Sequence, residues 1–383
     1  MTHLFDLLTL RGTTLRNRVA VSPMCQYQAT DGFADDYHVV HYGRFALGGF
    51  GLVMVEATGV SPEARITHGD LGLWDDAHIP GLSRIAAFLK AKGAVPGIQI
   101  GHAGPKASLL RPWHGNTPVL DTPLIAGEKR WQTVSPTARP AAEGWPTPVA
   151  LDDDGIAKVK RDFANAAERA LQAGFEVLEL HCAHGFLLNA FLSPLTNKRR
   201  DAYGGSLENR MRLPLEIARE LRAIWPQNRP LFVRISAVDG SRDGWTVEDS
   251  VVFSRELAKA GVDVIDNSSG GFGVFDYPNG YGFQTPFAAR VRQGADIKTM
   301  AVGLIVDPRQ AEAVIANGHA DIVALGHAAL NDPGFAFRAE QALGAAKPEE
   351  PFAGWPPQLG WWLDHRAKRL AALGPWAPAQ TAA

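Results

Sequence analysis

Two histidines three residues apart, His181 and His184, are the strongest chemical signal in the sequence, and they lie in the segment H-C-A-H-G. They follow a largely apolar run, residues 177–180, which is typical of a buried strand. Strands of parallel α/β proteins end at the crevice where ligands bind, so these side chains could donate hydrogen bonds or protons to a ligand. The pair could equally be ordinary polar residues of a strand-to-helix turn.

A metal site is an alternative use of the same histidines. Two histidines can ligate zinc, but a catalytic zinc site needs a third protein ligand. The only nearby thiol, Cys182, should point away from both rings and serve as a small buried residue. We therefore expect no metal here.

Composition indicates the class of protein and of partner. The chain has 383 residues, of which 46% are hydrophobic and 20% charged, which is typical of a soluble globular protein. Its net charge is -2, and Lys and Arg are scattered, so we expect a small-molecule substrate rather than nucleic acid or a membrane. Two cysteines, Cys25 and Cys182, and an N-terminus without a signal-like apolar run predict a reducing, cytoplasmic environment.

The elements that must position the histidines alternate regularly between strand and helix. Apolar strand patterns centre near residues 19, 52, 96, 177, 232, 263, 300 and 322, with helical patterns between them. Eight such units predict an α/β fold, a (β/α)8 TIM barrel forming a single domain over 1–383. An open doubly wound sheet is the alternative, but it would carry G-x-G-x-x-G after the first strand, and none is present.

Three further segments decorate the predicted barrel. Residues 4–19 alternate around Gly12 and predict an N-terminal hairpin that could plug the barrel bottom. Residues 105–148 are rich in Pro, Gly and Trp and are too long for an ordinary connection, so we expect a lid or rim excursion after the third barrel strand. Residues 350–383 form a C-terminal tail.

Residues at the strand ends should meet at one mouth of the barrel. The last two strands end at Gly303 and Gly326, where bare backbone N–H groups can approach a phosphate. Glu179, further down its strand, should be paired below the mouth. The other residues that we expect at the mouth are Ser22 to Tyr27, Ala57, Gln99, His181, His184, Arg234, Ser268 to Gly271 and His327.

Several motifs together resemble the Old Yellow Enzyme family, and most closely its bacterial xenobiotic reductase and thermophilic-like branch. The motifs are P-M-C-Q-Y at 23–27, E-A-T at 56–58, I-Q-I-G-H-A-G at 98–104, H-C-A-H-G at 181–185 and D-A-Y-G-G-S-L-E-N-R at 201–210. The resemblance implies an FMN-dependent ene-reductase that takes electrons from NADPH or NADH. Hydride would pass from flavin N5 to the β-carbon of an activated alkene.

The resemblance also assigns roles to single residues. It implies that His181 and His184 bind the activating oxygen, that Tyr27 contacts the substrate, and that Cys25 tunes the flavin. It further implies a homodimer or homotetramer in which Trp362 of the tail reaches the substrate site of the neighbouring subunit. The residues that would bind the flavin are Ser22, Pro23, Met24, Cys25, Ala57, Gln99, Arg234, Gly303, Gly326 and His327.

Two positions depart from the family pattern. Phe186 stands where the family usually has a proton-donating tyrosine, and His327 stands where it has a phosphate-binding arginine. An arginine can hold a phosphate through two parallel hydrogen bonds, whereas imidazole offers one donor at a time, so we expect weaker FMN binding. The departures leave two alternatives open, a flavin-dependent desaturase and a weakly flavin-binding barrel with a non-redox role.

Overall fold

The computed structural model describes residues 2–121, 124–274, 276–277, 279–373 and 375. The predicted excursion 105–148 and the predicted tail 350–383 include residues 122, 123, 374 and 376–383, which lie outside the described residues.

The strands and helices alternate along the chain. The strands are β1 Leu8–Leu10, β2 Thr13–Leu15, β3 Val19–Val21, β4 Leu52–Gly59, β5 Val95–Gly101, β6 Val134–Ser135, β7 Val149–Ala150, β8 Val177–Cys182, β9 Leu231–Ser236, β10 Val264–Ser268, β11 Lys298–Ala301 and β12 Ile322–Leu325. The α-helices are α1 Asp36–Leu47, α2 Ile79–Ala91, α3 Asp153–Gln172, α4 Leu187–Leu192, α5 Leu207–Ile224, α6 Val247–Lys259, α7 Thr285–Ala295, α8 Pro308–Ala316, α9 His327–Asn331, α10 Phe335–Ala342 and α11 Pro357–Leu373.

Eight parallel strands close into a barrel in the order β10-β11-β12-β3-β4-β5-β8-β9. Each strand predicted from an apolar run is a member of this barrel, so the (β/α)8 prediction is confirmed. Closure joins β12 to β3, where Val323 pairs with Val19, and no sheet edge remains in the barrel. No helix within the described ranges is long and apolar enough to cross a membrane.

The N-terminal hairpin closes the bottom of the barrel, as predicted. β1 and β2 pair in antiparallel fashion, with Leu8 opposite Leu15. The buried side chains of Leu8, Leu10 and Leu15 pack in one apolar cluster with the barrel residues Leu52 and Val177. Because this end is filled by side chains, a ligand can enter only from the opposite mouth.

Helix starts are fixed by side-chain caps that the sequence displays. Asp152, Ser206 and Thr246 each accept a hydrogen bond from a backbone N–H in the first turn of α3, α5 and α6 respectively. These caps satisfy N–H groups that have no partner inside the helix. They set the points at which the chain leaves the loops of the mouth.

The excursion and the tail hold regular structure that the sequence patterns did not predict. β6 of the excursion pairs with β7, which follows the excursion directly, and α11 occupies the tail. Helix α4 was also missed, because all six of its side chains are buried and it lacks the one-sided apolar pattern of a surface helix. This short helix follows the histidine pair directly.

Candidate active site

A cavity of about 370 Å³ opens at the mouth of the barrel. Its volume is within the range of cofactor and small-molecule sites. Its walls bring together residues that are far apart in sequence. From the predicted flavin-binding set they include Ser22, Pro23, Met24, Arg234, Gly303, Gly326 and His327.

The backbone near the two predicted phosphate-binding glycines suits a bound anion. Gly303 has a φ of +114°, and a Cβ built on it would lie 2.7 Å from Nε2 of Gln284. A Cβ on Gly326 would meet only the sulfur of Met24, at 3.6 Å, so that backbone faces open space. Arg234 and His327 line the same cavity and supply cationic or hydrogen-bonding side chains. The cavity therefore fits a phosphorylated, flat cofactor such as FMN.

Arg234 is held by a buried network beneath the cavity. Its Nη1 donates to Oγ of Ser22 over 2.9 Å, and its Nε lies 3.2 Å from a carboxylate oxygen of Asp266. Glu179 accepts a hydrogen bond of 2.8 Å from Nε2 of Gln99, which confirms that it is a paired group below the mouth. Burial, followed by the nearby Asp266 charge, raises the pKa of Glu179 well above its ordinary value. Burial also raises the pKa of Asp266, while the charge of Arg234 opposes that rise, so the two neighbouring carboxyl groups compete for the negative charge beside Arg234.

The two histidines of the H-C-A-H-G segment lie side by side, with ring centroids 5.2 Å apart. Burial, assisted by the charge of Arg234, lowers the pKa of His181 to about 3 and that of His184 well below its ordinary value. Both rings are consequently neutral at physiological pH. Nδ1 of His181 accepts the N–H of Ala183 over 3.2 Å, so the ring proton is on Nε2. Nε2 of His184 lies 2.7 Å from Oγ of Ser268.

Phe186 lies against this pair. Its ring centroid is 4.9 Å from that of His181 and 6.4 Å from that of His184, both edge-on. Phe186, His181 and Ala57 line a second, very small cavity that shares no lining residue with the first. Ala57 lies where the register between β4 and β5 shifts, a bulge that redirects side chains at a barrel rim.

Cys25 and Tyr27 pack in an apolar rim cluster with Phe186, Trp131 and Trp145. Burial raises the pKa of the Cys25 thiol and of the Tyr27 hydroxyl well above their ordinary values, so both groups keep their protons. The cluster shows that the excursion packs over the predicted substrate side of the mouth.

The loop that carries Cys25 is fixed by a buried carboxyl group. Glu56 accepts the backbone N–H of Gln26 and the hydroxyl of Tyr42, each over 2.7 Å. Burial raises the pKa of Glu56 to about 8. The E-A-T motif thus supports the loop, a role that the sequence reasoning did not assign.

The structure does not bring Trp362 to the mouth of its own barrel. Its side chain is 67% exposed on α11 and lines neither cavity. Sequence reasoning also missed Ser236, Lys106 and Arg111, which bond to the mouth loops from distant parts of the chain. No local pattern marks them. Among the described residues, no group of three His, Cys, Asp or Glu side chains could hold a metal ion.

Comparison with known proteins identifies the family. Residues 3–345 match the NADH:flavin oxidoreductase / NADH oxidase family. A protein of Geobacillus thermodenitrificans named NADPH dehydrogenase is 43% identical over 348 residues, which cover 90% of this chain and 95% of that protein. A Listeria innocua protein of the same name is 40% identical over 346 residues, covering 90% and 96%.

Solved structures agree with the sequence comparisons. Morphinone reductase superposes with a TM-score of 0.74 at 29% identity, covering 91% of this chain and 92% of its own. An Old Yellow Enzyme homologue from Zymomonas mobilis shares the fold, with a TM-score of 0.73 at 22% identity over 93% and 98% of the two chains. The chain therefore belongs to the NADH:flavin oxidoreductase / NADH oxidase family and is an FMN-dependent NAD(P)H oxidoreductase of the Old Yellow Enzyme type.

Proposed function

We propose that this enzyme is an ene-reductase, which reduces the double bond of an enone, a nitroalkene or a related xenobiotic. The observation that carries the proposal is the pair of neutral histidines at the mouth, with the Nε2 proton of His181 free to donate. When an activated alkene gains hydride, negative charge develops on its carbonyl or nitro oxygen. Preorganised neutral donors in a water-poor site stabilise that charge.

Each part of the mouth has a task in this proposal. Bound FMN would supply hydride to the β-carbon of the alkene. Ser22, Pro23 and Met24 would line the flavin ring, with Cys25, Ala57 and Gln99 as its further neighbours. Arg234 would face the part of the ring that becomes negative on reduction, and Gly303, Gly326 and His327 would hold the phosphate. His181 and His184 would bind the activating oxygen, and Tyr27 would contact the substrate.

The proton for the α-carbon needs a source other than residue 186. The Phe186 ring carries no acidic group, and burial makes the Tyr27 hydroxyl a weaker acid than free tyrosine. We therefore propose that water supplies the proton and that reduction of the alkene is slow as a consequence.

The apolar ring of Phe186 beside the histidines leaves a second candidate function open. In the desaturation of a saturated carbonyl compound, the β-carbon would lose hydride to bound FMN and the α-carbon would lose its proton to water, since residue 186 offers no base. The other alternative, a weakly flavin-binding barrel with a non-redox role, has no support, because the chain belongs to an oxidoreductase family.

Rapid mixing without oxygen tests the proposal. Holoenzyme reduced with one equivalent of NADPH is mixed with 2-cyclohexenone, and return of the oxidised flavin absorbance is followed. We expect reoxidation to depend on enone concentration, and replacement of both His181 and His184 by Ala to slow it on the order of a hundredfold. An unchanged rate in that variant would refute the role of the histidines. Reduction of oxidised holoenzyme by cyclohexanone, without reoxidation by the enone, would favour the desaturase.

We also propose how the chain is organised around this site. It would act as one domain over 1–383, with 105–148 as rim and 350–383 as tail, in the cytoplasm, where its two free thiols are stable. It would form a homodimer or homotetramer in which Trp362 reaches a neighbouring subunit. The exposure of Trp361 and Trp362, at 54% and 67%, supports the last point, because large exposed apolar side chains mark interfaces.

A further inference from the structure

Two of the predicted substrate contacts have an unusual backbone conformation. Tyr27 has a φ of +54° and His184 a φ of +62°, both in the left-handed region that glycine prefers. Residues with a Cβ persist there only when surrounding contacts enforce the conformation. The contacts that hold these two residues therefore set where their side chains point.

Lys106 holds His184 from the segment that follows β5, the strand next to β8. Its Nζ donates to the carbonyl oxygen of His184 over 2.8 Å and to that of Gly271 over 2.6 Å. The third side of the ammonium group faces the ring of Phe272, 5.4 Å from its centroid. The N–H of His184 donates to Oγ of Ser236 over 2.9 Å. Both backbone groups of His184 are thus bonded.

Two glycines allow this close packing. A Cβ on Gly185 would lie 2.5 Å from Nζ of Lys106, and one on Gly271 would lie 2.5 Å from the nitrogen of Gly185. Gly185 therefore leaves the space that the ammonium group fills, and Gly271 allows the loop after β10 to approach the backbone of H-C-A-H-G.

Arg111 holds Tyr27 in the same way. Its Nε donates to the carbonyl oxygen of Tyr27 over 3.1 Å, and its guanidinium forms an ion pair with Glu128. The side chains of Arg111 and Glu128 are 17% and 12% exposed, so the pair is shielded from water. A Cβ on Gly69 would lie 2.2 Å from the same carbonyl oxygen and 2.9 Å from Nε of Arg111, so glycine at this position leaves room for the hydrogen bond.

We propose that Lys106 and Arg111 are positioning residues, a rim clamp that fixes the backbone of His184 and Tyr27 so that both side chains face the substrate. The two cations lie five positions apart in one rim segment, and each reaches the carbonyl of a left-handed residue about 80 positions away. The excursion after β5 then orients residues of the binding site in addition to covering it. The clamp deepens the proposed function and rests on it, since it assumes that His184 and Tyr27 contact the substrate.

Methionine variants test the clamp, because methionine keeps much of the side-chain volume and removes the donors. The dissociation constant of 2-cyclohexenone is measured on oxidised holoenzyme from the change in flavin absorbance, together with FMN content and the reoxidation rate at saturating enone. We expect Lys106→Met and Arg111→Met each to raise the dissociation constant of the enone by on the order of tenfold, with the absorbance change normalised to the FMN content of each variant. This is the effect of losing one charged hydrogen bond. Lys106→Arg and Arg111→Lys should bind the enone almost as tightly as the wild type.

Arg130→Met is the matched control. Arg130 belongs to the same excursion, but its ion pair with Asp121 is exposed and touches neither residue of the clamp. We expect its dissociation constant to equal that of the wild type. Methionine variants that load FMN normally and bind the enone as tightly as the wild type would overturn the clamp.

Three further variants keep the test decisive. If a methionine variant does not fold, Lys106→Gln and Arg111→Gln, which retain an uncharged donor, should give intermediate dissociation constants, and wild-type values would overturn the clamp.

His184→Ala separates the clamp from the proposed function. An unchanged dissociation constant in His184→Ala contradicts the proposed function itself. A weakened His184→Ala beside an unaffected Lys106→Met contradicts only the clamp. If Lys106 acts through His184, as the clamp requires, the double variant of Lys106→Met and His184→Ala should bind the enone about as weakly as His184→Ala alone.

Discussion

Single side chains at the mouth combine neutral hydrogen-bond donors with an apolar ring in the place of an acid. The rings of His181 and Phe186 touch edge-on at 4.9 Å, so a hydroxyl added to residue 186 would extend from a ring already beside the donors. A positioned general acid accelerates a reaction by roughly a hundred- to ten-thousand-fold. The protonation step should therefore respond to this one residue.

We predict that Phe186→Tyr accelerates reoxidation of the reduced flavin by 2-cyclohexenone by at least about tenfold, because a tyrosine hydroxyl can protonate the α-carbon. Reduction of the flavin by NADPH should not change, since hydride arrival needs no proton from residue 186. Single-turnover measurement of both half-reactions checks this. An equal or slower reoxidation would show that another group already supplies the proton and that Phe186 serves packing.

His327 allows a second substitution with a clear direction. It lines the cavity beside Gly326 where an arginine would offer two parallel donors to a phosphate. We predict that His327→Arg lowers the FMN dissociation constant by on the order of tenfold, measured by flavin fluorescence quenching on apoprotein. His319→Arg, at an exposed site away from the mouth, adds the same charge and should leave the constant unchanged. Equal constants for wild type and His327→Arg would place the phosphate elsewhere.

His181 links the site to stability against acid. Its pKa is about 3 in the folded protein and about 6.5 when unfolded, so its stabilising contribution is complete above pH 6.5 and declines as pH falls toward 3. Asparagine does not titrate and should escape this loss. We predict that the stability difference between wild type and His181→Asn shifts by about 2 kcal/mol in favour of the variant between pH 7.5 and 5. Urea unfolding of both proteins at both pH values measures this shift. The same stability difference at pH 7.5 and pH 5 would contradict the prediction.

The barrel strands could be read from the sequence because strands buried on both faces are continuous apolar runs. Helix α4 could not, since its six buried residues lack a polar face. Nor could the rim contacts, because Lys106 and His184 are 78 positions apart and Arg111 and Tyr27 are 84 apart. No local pattern encodes such pairings. The sequence thus places residues at the mouth, while the bonds that orient them emerge only when the chain is folded.

The N-terminal hairpin tests how far the barrel bottom is separate from the mouth. Leu15 on β2 is fully buried in the bottom cluster, whereas Leu7 beside the hairpin is 66% exposed. We predict that Leu15→Ala lowers the free energy of unfolding by about 2 to 5 kcal/mol, because it leaves a cavity in a close-packed cluster. Leu7→Ala should change it by less than about 0.5 kcal/mol.

Reoxidation of the flavin by 2-cyclohexenone should be normal in folded Leu15→Ala. Urea midpoints with single-turnover rates measure both quantities. A slow reaction in the folded variant would mean that the hairpin supports the mouth, contrary to the separation proposed.

At the scale of the whole molecule, helix α11 presents an apolar surface that the barrel does not cover. Helix α11 carries Trp361 and Trp362, with Leu359, Leu370 and Leu373 exposed by 45%, 45% and 70%. The tail is anchored just before the helix, where the ring of Trp355 stacks on that of Phe337 at 4.8 Å. A helix that is fixed at its base and exposes two tryptophans and three leucines suits contact with a second copy of the chain.

We predict that deleting the chain from Gly360 onward reduces the particle mass in light scattering and changes the ratio of reoxidation rates between small and bulky enones. The deletion keeps Trp355 and its stack on Phe337, so the barrel should stay folded and yellow. Trp362→Ala separates the two effects, because Trp361 and the exposed leucines of α11 remain for the interface while the direct substrate contact is lost. It should alter the enone ratio while leaving the particle mass unchanged. If the truncated protein keeps both its mass and its enone ratio, α11 covers only its own subunit and the contact between subunits must be sought on another face.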